Sequence, residues 1–389
     1  MRRALWQERT LVKTFGPRGT VHLLPSAELA MWTGALSALP SPVPTHPEGV
    51  RFPPEQADEV IAAIGAALAG AELTVDELTE AIADRAGPWA VERTMDAFQD
   101  KWPRWRRLTS TAAHRGMLCF GPDRGRQVAY TNPHRWQPGF RPADGDPALR
   151  TLLTRYLHAY GPAAPRHFAR WLGVSPRYAA GLFGTLAGDL ERVELDGEPA
   201  WTVAGDTGTP PQPYRGLRLL PYFDPYVVAG QPRHRLYPGR AAARALTPSG
   251  QAGNYPVLLV DGVVGGVWHQ RRSGRKLALT VEPLRELTPL QLRQLDDEVA
   301  LVGVIPRSLT SAPACSRSRA VIRHRGGTCG SRSVNVLRPH PGSPHFQRHL
   351  THHTATRSPP RRTSRGRAST VSCRRAETVP QSGHAAAAG

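Results

Sequence analysis

Cysteine, lysine and long apolar runs are all scarce in this 389-residue chain, and each scarcity excludes a class of protein. One cysteine, Cys119, falls in the first 305 residues, which excludes a disulfide scaffold and suits a reducing compartment. The longest apolar stretch, Val60 to Ala71, is closed by Glu59 and Glu72 and is too short to cross a bilayer. Arg2 and Arg3 run into Trp6, Gln7, Glu8 and Arg9, without the apolar core of a secretory signal. Only Lys13, Lys101 and Lys276 stand against 47 arginines. Phosphate recognition does not demand that ratio, since lysine binds phosphate too, so it reads chiefly as GC-rich codon usage. The expectation is a cytoplasmic protein that does not enter a membrane.

Acidic residues are scarce only locally. Residues 1–305 carry 35 basic and 30 acidic side chains, a net of +5, whereas residues 306–389 carry 15 arginines and one acid, Glu377, a net of +14. That tail also lacks tryptophan, and its stretches RSRAVIRHRGG, RTSRGRAST and SCRRAETVPQSGHAAAAG show no sustained period. It cannot bury enough apolar surface to offset its ordering entropy and is expected to be disordered. Two origins fit the composition: a basic arm that grips nucleic acid without sequence preference, and a GC-rich gene read in a shifted frame after residue 305. Cys315, Cys329 and Cys373 are spaced too widely for a zinc site, so no metal is expected.

What is present is a recurring plan. Between Ala148 and Ala204, LRTLLTRYLHAYG places Leu149, Leu152, Leu153, Tyr156, Leu157 and Tyr160 at helical spacing. PRHFARWLGVSPRYAAGLFGTLAGDL then reads as helix, tight turn at Gly173, and helix, with Ser175 as N-cap and Pro176 at the first helical position. LERVEL and PAWTV follow as strands joined across Asp196-Gly197. Helix, helix-turn-helix and hairpin is the order of a winged helix. Upstream, PEQADEVIAAIGAALAG and LTVDELTEAIADR read as helices, the second with a capping box from Thr74 to Glu77. WAVERTMDAFQDKWPRWRRLTSTAAHRG reads as helical with a break near Pro103, and MLCF and VAYT as a hairpin around a basic tip. LVKTF and TVHLL form another hairpin, followed by the helix SAELAMWTGALS. The chain opens in the middle of that copy, which is expected to be truncated. After Pro210, LRLLPYFDPYVVAG, YPVLLVDGVVGGVWHQRR and RKLALTVEPL read as strands of a small partial barrel, closed by the helix LTPLQLRQLDDEVALVG.

The expected fold is therefore α+β. Tandem winged helices occupy residues 1–48 (truncated), 49–146 and 147–208, a β-rich barrel-like domain 209–305, and the disordered tail 306–389. A winged helix offers its second motif helix to the major groove and its hairpin to phosphates or a neighbouring groove. The candidate DNA contacts are Ser175, Arg177 and Tyr178 at the start of that helix, Arg166 on the helix before it, and the hairpin cations Lys13, Arg18, Arg124 and Arg126. Any one of them suits a solvated turn equally well; together they favour double-stranded DNA, and the net of +5 points to a localised groove. Trp102, Trp105 and Trp136 could stack on bases, but the spacing of Trp102 and Trp105 on a predicted helix favours core packing, as for Trp89, Trp171, Trp201 and Trp268. Asp224, in the sequence FDPY, is the weak catalytic candidate, as a general base; capping a turn before Pro225 is the commoner role for such a residue. His22 could face a groove, although a lone histidine is usually structural.

LVKTFGPRGTVHLL, GMLCFGPDRGRQVAYT, YLHAYGPAAPRHFARWLGVSPRYAAGL, LRLLPYFDPYVVAG and YPVLLVDGVVGGVW occur in that order over residues 5–305. Together they resemble the winged-helix DNA-binding family that includes the AlkZ and YcaQ DNA glycosylases. The resemblance implies a concave DNA-binding face of tandem winged helices, a β-barrel-like domain after them, and metal-free excision of alkylated or crosslinked bases. The family's catalytic element, Gln-x-Gln or Gln-x-Asp ahead of the first hairpin, is missing from the chain as written. Gln56-Ala57-Asp58 and Gln294-Leu295-Asp296 both follow that hairpin on predicted helices and are read as chance. The expectation is a monomeric protein without cofactor that binds double-stranded DNA, alkylated or crosslinked. The alternative is a winged-helix transcriptional regulator or interaction module without chemistry.

Overall fold

The computed structural model describes residues 1–40, 51–96, 101–206, 214–273, 276–304, 322–324 and 332–336, which form a mixed α+β structure. A short helix, α1 (Arg2–Trp6), leads into an antiparallel hairpin, β1 (Leu11–Phe15) and β2 (Val21–Pro25), paired from Leu11↔Pro25 to Phe15↔Val21. The pleat of β1 turns Val12 and Thr14 inward. Helix α2 (Leu29–Ser37) follows.

The middle of the chain starts with α3 (Pro54–Ala69), the two-residue strand β3 (Leu73–Thr74) and α4 (Val75–Ala86). The capping box forms as expected: the Thr74 N–H donates to Glu77 Oε2 at 2.8 Å, and the Glu77 N–H to Thr74 Oγ1 at 3.4 Å. Val60, Ile64 and Leu68 recur at helical spacing and pack with Leu78 and Ile82 around Trp105. That indole is fully buried and donates to Thr79 Oγ1 at 3.0 Å.

Of the helical stretch expected over residues 89–116, with a break near Pro103, only its end is α-helical among the described residues. The chain instead makes a 3-10 turn (Pro88–Val91), a hairpin of β4 (Arg93–Asp96) and β5 (Lys101–Pro103), a second 3-10 turn (Arg104–Leu108) and a six-residue helix, α5 (Thr109–His114). Pro103 is the physical reason. Its ring disfavours helical backbone at Trp102, and it has no N–H to bond back one turn. Trp102 consequently leaves the core: it is 44% exposed, with the Arg106 guanidinium 4.0 Å from its ring centroid. The basic-tipped hairpin then forms from β6 (Cys119–Phe120) and β7 (Ala129–Thr131), and β3 joins it in the order β3-β7-β6.

The next elements are α6 (Gly145–Tyr160), α7 (Pro165–Leu172), α8 (Pro176–Thr185), β8 (Leu190–Leu195) and β9 (Glu198–Val203). Gly173 ends α7 at φ 86°, a left-handed backbone that glycine adopts without penalty. Ser175 Oγ accepts the Tyr178 N–H at 3.2 Å. Asp196 and Gly197 turn the hairpin at φ 56° and 77°, the pair of positive values that a two-residue turn of this hand needs. Leu149, Leu152, Leu153 and Tyr156 of α6 share one core with Phe168 and Phe183, and Ala35 and Leu36 of α2 belong to it too.

The C-terminal part runs β10 (Leu217–Leu220), α9 (Pro225–Ala229), α10 (Arg233–Leu236), α11 (Arg240–Ala245), β11 (Val257–Val260), β12 (Val263–Ser273), β13 (Lys276–Pro283) and α12 (Pro289–Val304). The expected partial barrel is instead an open antiparallel sheet, β10-β11-β12-β13, with helices on both faces. Period-two alternation along β11 explains it: Leu258 and Val260 pack with Leu295 and Val299 of α12, while Val257 and Leu259 pack with Val227 and Ala241. A sheet covered on both faces has buried itself without closing. Two pieces of the tail, β14 (Ile322–His324) and β15 (Arg332–Val336), extend this sheet beyond β13. They depart from the expectation of a tail without structure, and their β-branched residues suit strands. The rest of the tail, including Cys315, Cys329 and Cys373, lies outside the described residues. No helix among the described residues is long and apolar enough to cross a membrane.

Candidate nucleic-acid interface

The turn of the first hairpin, Gly16 to Thr20, is built around histidine. A Cβ on Gly16 would lie 2.7 Å from His22 Nδ1, so only glycine lets that imidazole pack on the backbone. His22 Nδ1 also lies 2.8 Å from the Thr20 carbonyl oxygen, and His114 Nε2 of α5 lies 3.1 Å from that of Gly16. Burial depresses the pKa of both imidazoles, and the Arg18 charge presses His22 further down. Both rings are therefore neutral near pH 7. Arg18 occupies the tip at φ 60° and donates to the Trp171 carbonyl at the end of α7. Gly173 makes room for it: a Cβ there would lie 2.9 Å from Arg18 Cγ. The first hairpin is thus pinned between α5 and the α7–α8 turn.

The other sequence-predicted cations divide by what they already touch. Lys13 lies within β1, not at the tip, with its Nζ 4.4 Å from the Phe120 ring centroid. Arg124 pairs with both Glu77 carboxylate oxygens at 2.9 Å and donates to the Glu72 carbonyl. Arg166 pairs with Glu198. Arg126 and Arg177 are exposed, with no hydrogen bond or ion pair to another described residue. Ser175 spends its hydroxyl oxygen on the helix cap, and burial raises the pKa of the Tyr178 hydroxyl. Asp224 takes the capping role: its Oδ1 accepts the Tyr226 N–H at 2.9 Å at the start of α9.

The structure adds two arginines that sequence reasoning passed over. Arg170 on α7 donates to the Gly250 carbonyl at 3.0 Å, and Arg233 is held by the carbonyls of Val227, Val228 and Gly230. Burial lowers the Arg233 pKa, and the nearby charges of Arg170 and Arg18 lower it further. None of Arg18, Arg170 and Arg233 meets a carboxylate among the described residues. Arg170 has no local signal, since its partner Gly250 lies 80 residues along, whereas Arg233 is held by carbonyls three to six residues before it.

A cavity of about 350 Å³ separates α7 and the β8–β9 tip from α10. Its charged lining is internally paired. Arg235 and His234 both bind Asp196, the latter at 2.9 Å, and hydrogen bonding from Arg235 chiefly holds the Asp196 carboxyl below the usual range. These pairs brace the hairpin against the C-terminal part. Among the described residues no group of three histidine, cysteine or acidic side chains is placed to hold a metal. The sole described cysteine, Cys119, is buried, which pushes its thiol pKa up. Of the two Gln-x-Asp triplets, the first spends Asp58 on Arg115 at 2.6 Å, and the second buries Leu295 in the core of the sheet.

Comparison with known proteins gives a consistent answer. The model of the family described as DNA glycosylase AlkZ-like matches residues 1–303. An interstrand DNA cross-link repair glycosylase of Streptomyces sahachiroi is 31% identical over 316 residues, covering 76% of this chain and 78% of that protein. The solved structure of the DNA glycosylase AlkZ from the same organism superposes with a TM-score of 0.63 at 26% identity, over 78% of this chain and 80% of that one.

Proposed function

Because the chain belongs to the AlkZ-like DNA glycosylase family, we propose that it binds double-stranded DNA carrying an alkylated or crosslinked base. On this reading β1–β2, α3 to β7 and α6 to β9 act as tandem winged-helix modules. The observation that carries the reading is the docking of Arg18 on Trp171, which makes the first hairpin and the α7–α8 turn one continuous surface. Arg177 opens α8 on that surface, and Arg126 tips the middle hairpin. Both are free to meet phosphates. Arg124 and Arg166 must first exchange a carboxylate for a phosphate, so their net contribution is smaller. Excision of an alkylated base calls for taking that base out of the stack before its N-glycosidic bond is cleaved, and a base leaves the stack more readily where damage has weakened its pairing.

Two measurements test this. Binding of the full chain to a duplex should weaken linearly on a log–log plot against salt, and Arg126→Ala with Arg177→Ala should each reduce the slope by about one. Affinity unchanged between low and moderate salt rules the DNA reading out. Release of free base from a duplex holding an alkylated or crosslinked guanine then decides the chemistry. Release supports a glycosylase, and binding without release supports the non-catalytic alternative.

A further inference from the structure

Three aromatic rings on the segment Tyr222 to Tyr226 face solvent: Tyr222 is 53% exposed, Phe223 61% and Tyr226 45%. Phe223 holds its place against the preference of its own backbone. Its φ is 55°, which is rare for a bulky residue. The other described side-chain-bearing residues with positive φ are Arg9, Arg18, Asp196 and Asp261, and the last three each precede a glycine in a tight turn. Phe223 instead ends a turn, Tyr222–Phe223, that no glycine follows. Its N–H donates to the Gly253 carbonyl at 3.0 Å, and a Cβ on Gly253 would lie 2.9 Å from Phe223 Cδ1 and 3.0 Å from Val228 Cγ2. One side of the ring therefore rests on Gly253, while the rest of it stands open. Tyr226 is fixed beside it by its hydroxyl, which donates to the Gly262 carbonyl at 2.7 Å.

The surroundings hold the Asp224 carboxylate, spent on the cap of α9, and two arginines. The loop that seats Phe223 at Gly253 also takes the Arg170 guanidinium at Gly250. Gly250 and Gly253 are three residues apart, a span of at most about 11 Å, so Arg170 and Phe223 are tied to the same short loop. Arg18 lies next along α7, on Trp171. Beyond Tyr226 opens a cavity of about 370 Å³ lined in part by Tyr160, Gln231 and Arg235. A rigid aromatic face open on one side, with Arg170 of α7 and Arg18 docked on that helix (neither paired with a described carboxylate, unlike Arg235) and α7 tied to the same loop, suits a flat ring attached to phosphates.

We propose that the segment Tyr222 to Tyr226 is a stacking platform for one unpaired DNA base, with the Phe223 ring as its seat and Arg170 and Arg18 holding the flanking phosphates. The inference rests on the DNA reading above and goes beyond it by naming where an unstacked base is received. Stacking on an aromatic ring is tolerant of base identity, so the platform acts on any base that has left the helix.

The test uses the full chain and two duplexes of one sequence, one intact and one carrying a single bulged 2-aminopurine. The unaltered protein should bind the bulged duplex more tightly and change the fluorescence of the probe. Phe223→Ala should weaken binding to the bulged duplex by about 5- to 150-fold, from the usual range for one lost stack, with a much smaller change on the intact duplex. Phe223→Trp should keep the preference and control for folding. Equal affinity of Phe223→Ala and the unaltered chain for both duplexes overturns the platform and leaves the DNA reading standing. Failure of the unaltered chain to bind either duplex removes both. A concentration-dependent mass in light scattering that Phe223→Ala abolishes, with DNA affinity unaltered, assigns the patch to self-association and overturns the proposal.

Discussion

Replacing Gly173 with alanine probes the docking of the first hairpin, because two separable costs meet at that residue. The backbone there lies at φ 86°, where a methyl group is strained by about 1–2 kcal/mol. The same methyl would lie 2.9 Å from Arg18 Cγ, closer than ordinary contact, and Arg18 is tethered at its far end by the bond to the Trp171 carbonyl. Relief requires moving the hairpin tip or giving up that bond, which at an exposed site contributes about 1 kcal/mol. Gly173→Ala should therefore destabilise by about 2–3 kcal/mol, and Arg18→Ala by about 1 kcal/mol. The double variant should be about 1 kcal/mol better than their sum, because without the Arg18 Cγ the methyl meets only Cα and Cβ of residue 18 at 3.6 Å, an ordinary contact. Urea denaturation followed by tryptophan fluorescence reads this as a midpoint shift at constant slope, with Trp171 inside the perturbed region. Gly173→Asn separates the costs, since asparagine tolerates left-handed backbone but still carries a Cβ. Additivity of the two alanine changes within about 0.3–0.5 kcal/mol refutes the contact. A Gly173→Ala protein as stable as the original refutes the left-handed cap.

Further outcomes follow from the same structure. His22, His114 and His167 all have pKa values depressed by burial below the ordinary 6.5. The unfolded chain then takes up protons first, so stability should be level above pH 7 and fall as pH drops below 6.5; His114→Gln should flatten part of that fall in urea midpoints measured from pH 5 to 8. Trp105→Ala should cost about 3–5 kcal/mol, the range for emptying a buried aromatic site, against about 1 kcal/mol for Thr74→Ala at the N-cap of α4; thermal melts of the two variants rank them. Phe223→Gly should melt above Phe223→Ala by the equivalent of about 1 kcal/mol, because glycine releases the left-handed backbone that either side chain must otherwise hold.

What was legible in the sequence is what neighbouring residues decide among themselves. Thr74 with Glu77, Ser175 with Pro176, and Asp196 with Gly197 each carry their own hydrogen-bond or dihedral logic within a few residues, and each forms as read. The stretch from Trp89 to Gly116 has apolar residues that fit a helical count, yet the chain on both sides of Pro103 leaves the helix, for β5 before it and a 3-10 turn after it. The same count placed Trp102 in the core. The open sheet has one local sign, the unbroken apolar run Val257–Val260 of a strand buried on both faces, but nothing within β10 to β13 names α12 and α9–α11 as its covers. The site was only partly legible for a related reason. Arg177 and Arg126 can be found from cap and turn chemistry, whereas Arg170 acquires meaning only from Gly250, 80 residues along, and Phe223 only from a backbone angle.

The sharing of one core by α2 and α6 sets an order of events at the ribosome. Leu36 and Leu149 meet in it, and roughly 110 residues of synthesis separate them, about 6–20 s at ordinary elongation rates. Throughout that interval α2 exists without its partner, while the segment between closes its own core around Trp105. The nascent chain thus carries a waiting apolar helix next to a finished neighbour. The first hairpin can reach its place on α7 only after that window closes, because Trp171 is made later still.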